Sequence, residues 1–272
     1  MRELRGWWRE FAGLVLPVAC GGCGRGRVPS GVCEECAVAL YGGAAGRVRP
    51  DPEPLGLPAV HAAARYEDAP RAVLLAHKER GALGLARPLG VALARAVRGA
   101  VTTGARGAYP RGGRVSDPAV EDMRELVLVP VPSARRSVGA RGHDPARRIA
   151  LAAAGELRRG GTRARVAPVL RQRRPVGDQA GLGARERLAN LSGALGVVAG
   201  GRKLLAGRRV VLVDDLMTTG ASLKEAARAI GEITEAEEAG AAGRAGTGNT
   251  GFPGTVAAVV AAPPKSFEIN WN

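Results

Sequence analysis

The chain has 272 residues and a formal net charge of +15, with 46% hydrophobic but only 3% aromatic residues. That length suits one α/β domain with a small appendage and leaves little room for two full domains, and the core has to be built from Ala, Val and Leu. Of the 40 basic residues only Lys78, Lys203, Lys224 and Lys265 are lysine, so 36 are arginine, beside 50 Ala and 40 Gly. So broad a skew toward Ala, Gly and Arg reads as compositional background, and the charge alone does not name a nucleic-acid ligand. No apolar run approaches the ~18–20 residues of a membrane span, so no transmembrane helix and a cytoplasmic location are expected.

Near the start, basic residues precede a short apolar run, Phe11 to Ala19, that ends at Cys20 and imitates a lipoprotein signal peptide. Glu10, the shortness of the run and Pro17 favour an amphipathic helix instead, with Trp7, Phe11, Leu14 and Val15 on one face. All four cysteines follow at once: Cys20, Cys23, Cys33 and Cys36, spaced C-x2-C-x9-C-x2-C. Each C-x2-C lets a tight turn aim two thiolates at one tetrahedral centre, as zinc needs. Two disulfides would require an oxidising compartment, for which no export signal is evident, and a redox pair needs no second copy nearby. The expectation is structural Zn2+ held by all four thiolates, with residues 1–40 forming a helix and a zinc ribbon.

Residues 41–58 carry Gly42, Gly43, Pro50, Pro52, Pro54 and Pro58 and read as a linker. From 59 onward the chain alternates strands and helices, making 59–272 one domain. A strand over 59–66 is followed by a helix that Asp68 and Pro70 open and Gly81 stops, and by a second helix over 83–97. Residues 102–122 are poorly patterned and read as a flexible loop insertion. A buried strand over 126–132 ends in prolines. Asp144 and Pro145 cap and start a helix to Leu157. A strand over 166–170 and a short helix over 184–191 follow. The clearest buried strand is 209–215, with no alternation, and a helix over 222–230 succeeds it. Residues 234–254 are low in complexity and read as a second flexible insertion, and 255–262 closes as a last strand. Strands separated by helices imply an α/β fold, a parallel sheet with helices on both faces.

The informative segment is Val210-Val211-Leu212-Val213-Asp214-Asp215-Leu216-Met217-Thr218-Thr219-Gly220-Ala221-Ser222. A buried strand ends in two carboxylates, and a small polar loop then runs into a helix. In open α/β sheets ligands sit at this end of a strand. Thr218, Thr219, Gly220, Ala221 and Ser222 can offer N–H groups and hydroxyls to a phosphate at the helix N-terminus. Paired aspartates would repel that phosphate but suit a vicinal diol or a bound Mg2+. A diol close to a phosphate describes a ribose 5-phosphate. The spacing is not that of a Walker loop.

This segment resembles the PRPP-binding signature of type I phosphoribosyltransferases. With the cysteine knuckles in front, the chain resembles the ComF/GntX family of phosphoribosyltransferase-like proteins. Residues 65–81 (RYEDAPRAVLLAHKERG), 128–144 (LVPVPSARRSVGARGHD) and 173–195 (RRPVGDQAGLGARERLANLSGAL) are similar to three further family segments. After Arg141-Gly142 the pattern departs: many relatives carry Phe-Asn-Gln where this chain has His143-Asp144-Pro145.

The resemblance implies a type I phosphoribosyltransferase-like sheet behind a four-Cys ribbon, and displacement of pyrophosphate from C1 of PRPP. Asp214 and Asp215 would hold the ribose hydroxyls and Thr218 to Ser222 the 5-phosphate. Ser133, Arg135, Arg136 and Arg141 would take the pyrophosphate, with Mg2+ between pyrophosphate and ribose. Arg171, Arg173 and Arg174 would belong to a mobile loop over the site. By family position Lys78 would contact a phosphate, although an exposed place at a helix end is the competing reading. Gln179, Arg187 and Asn190 match the family without a derivable role, and His61, His77 and His143 receive no catalytic role. Two other functions fit: a competence module that uses ribbon and basic surface to hold single-stranded DNA or a protein of the uptake machinery, and a PRPP-sensing regulator.

Overall fold

The computed structural model describes residues 19–26, 28–107, 125–133, 138–139, 142–177, 183–241 and 255–267. In chain order its elements are α1 (Glu34–Tyr41), β1 (Gly46–Val48), β2 (Val60–Arg65), α2 (Asp68–Glu79) and, after a short 3-10 turn at Leu83–Leu85, α3 (Ala86–Gly107). Next come β3 (Leu126–Pro130), α4 (Pro145–Arg159), β4 (Ala164–Val166), β5 (Leu170–Gln172), α5 (Ala184–Leu191), β6 (Leu195–Val197) and α6 (Gly201–Leu205). The described chain closes with β7 (Arg209–Leu216), α7 (Ala221–Ala241), β8 (Val256–Ala262) and a 3-10 turn at Pro264–Phe267.

Six strands form one sheet in the order β1-β2-β8-β7-β3-β4. All neighbours are parallel except the edge strand β1, which runs antiparallel to β2. A central strand buried on both faces needs an unbroken apolar run, and β7 shows why. Val211 and Val213 enter the core beneath α3 and α4, whereas Val210 and Leu212 enter the core beneath α7. The mixed α/β architecture with a mostly parallel sheet between helical layers is therefore as expected.

The Ala-rich composition has a packing use. Ala92, Ala96, Ala100, Ala150, Ala153 and Ala154 are all buried where α3 and α4 meet the sheet and each other. Gly90 faces Ala152 with no room for a methyl group between them. Small side chains let the two helices approach closely, which is how a core without aromatics reaches native density.

Several boundaries differ from expectation, each for a local reason. The strand expected over 166–170 is split, because Pro168 has no N–H to contribute to a ladder. Its first part, β4, stays beside β3, and β5 leaves to pair antiparallel with β6. The three-residue β6 is too short to signal itself in sequence. The Pro-rich stretch 41–58 contains β1, and its Leu57 packs against the core beneath α7. Helix α3 continues to Gly107, and 108–122 of the expected insertion lie outside the described residues. Helix α7 continues to Ala241, well past Ile230, and 242–254 likewise lie outside. The cap at Asp144 is as expected: its Oδ1 accepts from the N–H of Arg147 at 3.1 Å. Among the described residues no helix is long and apolar enough to cross a membrane.

His61, on β2, is 3% exposed, with Nε2 3.2 Å from Oγ1 of Thr103. Burial, assisted by the charge of Arg47, lowers its pKa to about 4. The unfolded chain therefore binds a proton near pH 6.5 that the folded chain refuses until about pH 4. The stabilisation is complete above pH 6.5 and is lost as pH falls toward 4. Urea titrations at pH 7 and pH 4.5 should differ by on the order of 2–3 kcal/mol from this residue. In His61→Gln the difference should shrink by that amount; an unchanged slope would assign the pH dependence elsewhere.

Candidate functional site

Strand β7 delivers Asp214 and Asp215 to the carboxyl edge of the sheet, between the ends of β8 and β3. Alternation along the strand gives the two carboxylates different surroundings. Asp215 is 5% exposed, and its Oδ2 is 2.8 Å from Nζ of Lys78 in the last turn of α2. Asp214 is half-buried, and its Oδ1 accepts the N–H of Asp215 at 2.8 Å. Lost solvation, and after it the adjacent charge of Asp215, raise the Asp214 carboxyl well above the ordinary carboxylate range, against the opposing pull of Lys78. Lys78 thus belongs to the site: its amine reaches inward to the acid pair, so the reading as a merely exposed helix end does not hold.

After β7 the chain turns through Thr218, which is exposed, Thr219, which is half-buried, and Gly220. Gly220 has φ +74, and a methyl group there would come within 2.9 Å of Leu57 Cδ2 and 3.4 Å of Pro50 Cγ. Only glycine accommodates both the left-handed backbone and the Pro-rich segment crossing over it. Helix α7 begins at the next residue with Ala221 and Ser222, and its first-turn N–H groups have no intrahelical acceptor. The turn therefore presents donors and the positive end of a helix dipole on the edge that carries the acid pair.

Ser133 is half-buried beyond β3, in a segment that the Val131 N–H fixes to the carbonyl of Val213 at 2.9 Å. Arg135, Arg136 and Arg141 lie outside the described residues, as does Gln179. Arg171 is exposed on β5. Arg173 pairs with Glu232 of α7 at 3.2 Å, and Arg174 donates to the carbonyls of Asn190 and Ser192 at 2.9 and 2.8 Å. Asn190 has a role that its sequence context did not disclose. Its amide accepts from and donates to the backbone of Gly177 at 3.2 and 3.1 Å, fastening the end of the Arg stretch to α5.

Two further polar groups escaped the sequence pattern. His77 is fully buried, with Nδ1 3.3 Å from the carbonyl of Ala82 and its ring 5.6 Å from that of His143. Burial first, with the charges of His143 and Arg148, lowers its pKa against the opposing bond to Ala82 and the charge of Asp215. Glu225 is buried on α7, accepting from the N–H of Leu195 at 2.9 Å and from Arg228 at 2.7 Å. Burial alone would push this carboxyl up; those bonds outweigh it and hold it below its ordinary value. Glu225 thereby secures β6, and through it the antiparallel β5–β6 pair, to α7.

The second cluster is the cysteines. Ligand atoms of Cys20, Cys23, Cys33 and Cys36 all lie within 4.8 Å of one another, and no other such group occurs among the described residues. Sγ of Cys23 and Sγ of Cys33 are 3.6 Å apart, close to the about 3.8 Å edge of a tetrahedron built on zinc–sulfur bonds. The backbone already favours a thiolate. Burial would raise Cys20, but N–H groups of Cys23, Cys33 and Gly22 bring it down to about 6, while burial and neighbouring thiols raise Cys36. The four sulfurs can hold a metal ion such as zinc, with no position left for water.

No protein-family model and no curated protein matches the chain. Fold and site define a mixed α/β protein with a metal-capable four-Cys cluster and a carboxylate pair at the edge of its sheet.

Metal analysis of the purified chain should find one zinc per molecule, and Cys20→Ser should retain less than about a tenth of it. Gly220→Ala should destabilise the chain by about 2 kcal/mol or more in chemical denaturation, from left-handed strain and overpacking. Adding Leu57→Ala should recover the overpacking part; no recovery would place the whole cost in the backbone.

Proposed function

We propose that the protein is a type I phosphoribosyltransferase-like protein of the ComF/GntX kind, which binds PRPP and transfers its pentosyl group to an acceptor. The observation that carries this reading is the acid pair of β7 followed, after Leu216 and Met217, by the Thr-Thr-Gly turn and the start of α7. Anion donors and diol acceptors so placed match the two ends of a ribose 5-phosphate.

Each group has a task in that chemistry. Thr218, Thr219, Gly220, Ala221 and Ser222 hold the 5-phosphate, and Asp214 and Asp215 accept hydrogen bonds from the ribose hydroxyls. In the displacement the bond from C1 to pyrophosphate oxygen breaks as the bond from acceptor to C1 forms. Negative charge collects on the leaving group, and Ser133, Arg135, Arg136 and Arg141 are the residues assigned to receive it. Lys78 supplies a cation beside Asp215, relieving repulsion between the paired acids and the ligand's phosphates. Mg2+, bound with PRPP, adds charge neutralisation at the pyrophosphate. The cysteine cluster, with zinc, has a structural part.

The arginine usage favours this reading over a nucleic-acid module. Arg158, Arg174, Arg208 and Arg209 donate to backbone carbonyls, and Arg173 and Arg228 pair with Glu232. These six arginines are thus held by carbonyls and carboxylates of the chain itself, which a phosphate track would need free.

Calorimetric titration with PRPP in the presence of Mg2+ tests the proposal. Saturable heat is expected, with affinity falling at least about tenfold in Asp214→Asn/Asp215→Asn. Absence of heat, or an affinity indifferent to both substitutions, would refute it. Radiolabelled PRPP offered with a panel of bases then separates turnover from ligand sensing.

A further inference from the structure

The four-Cys cluster is continuous with the layer that carries Lys78. Cys20, Val32, Cys36 and Leu40 are buried in the same apolar core as Val73 and Leu74 of α2 and Leu89 of α3. The knuckle segment touches the start of α2 and the turn that follows α2. At Gly22 a methyl group would stand 3.2 Å from Cβ of Ala69, in the first turn of α2, and 2.7 Å from Sγ of Cys36. At Gly21 it would meet Cδ1 of Leu85 at 2.7 Å, and at Gly31 Cδ2 of Leu85 at 3.0 Å. Leu85 is 4% exposed and closes the turn that follows α2. Between these contacts lie His77, bonded to Ala82, and Lys78, bonded to Asp215.

We infer that the metal-loaded cysteine centre positions Lys78 on Asp215, acting through Ala69 in the first turn of α2 and Leu85 in the turn that follows the helix. The physical basis is that the described residues before Glu34, which include Gly21, Gly22 and Gly31, contain no helix or strand, so their shape depends on the ion. When the ion leaves, both contacts loosen together. The end of a helix is the part that frays first, and Lys78 is in the last turn. The coupling holds whichever ligand the acid pair takes.

The test uses the full chain and the amine of Lys78 itself. Acetylation by an N-hydroxysuccinimide ester is followed by mass spectrometry, with exposed Lys265 as internal reference. In the zinc-loaded chain Lys78 should react about fivefold or more slowly than Lys265, because its amine is engaged by Asp215 at 2.8 Å and is only partly open to solvent. Stripping the zinc with a chelator should raise the Lys78 rate about threefold or more and leave Lys265 unchanged. Amides of β3 and β7 should stay protected from exchange throughout. Leu85→Ala should raise Lys78 reactivity while retaining zinc, and Asp215→Asn sets the upper limit. A Lys78 rate indifferent both to zinc and to Leu85→Ala would overturn the inference. So would loss of β3 and β7 protection on stripping, since the metal would then hold the whole domain, and so would a chain that takes up no zinc.

Discussion

The ion pair between Lys78 and Asp215 is the contact on which the arrangement of the candidate site depends. A carboxylate 5% exposed at the end of a central strand needs a partner, because an unpaired buried charge is costly. Removing one member of a buried pair costs about 3–5 kcal/mol, and the third of Lys78 still open to water moves this pair toward the lower figure. The pair joins α2 to β7 across the β8 edge. It also lets a second carboxylate, Asp214, stand next in sequence, where without a cation the two would repel more strongly.

Composition and packing are linked in the same way. With few aromatics, the interior reaches its density through close approach of small residues, as where α3 and α4 meet at Gly90 and Ala152. The many arginines complement this economy. Their long stems reach unpaired carbonyls at loop ends, as Arg174 does at the end of α5 and Arg208 after α6. A net charge of +15 therefore gives little guidance to a partner by itself, since several of the arginines bond to the chain's own carbonyls and carboxylates.

Much of the architecture was legible residue by residue. The unbroken run of β7 marked a strand buried on both faces, Asp144-Pro145 marked the start of α4, and the four Cys at knuckle spacing marked one metal-capable centre. What escaped were elements whose signals are short or non-local. β1 and β6 have three residues each, too few for periodicity to register. Glu225, Asn190 and His77 act through partners far away in the chain, and no spacing rule connects Glu225 to Leu195 or His77 to His143.

The site divides along the same line. By itself the sequence determined that two carboxylates precede a Thr-Thr-Gly turn and a helix, because those residues are consecutive and local geometry follows from their order. It likewise determined that four sulfurs can meet, because two tight turns suffice to aim them. Only the tertiary structure decided that Lys78 faces Asp215, that the Pro-rich segment covers Gly220, and that the cysteine knuckles press on the start of α2 and on the turn after it. Those are contacts between separate elements, and they arise from how layers pack, which depends on the summed shape of the core and not on any one stretch of chain.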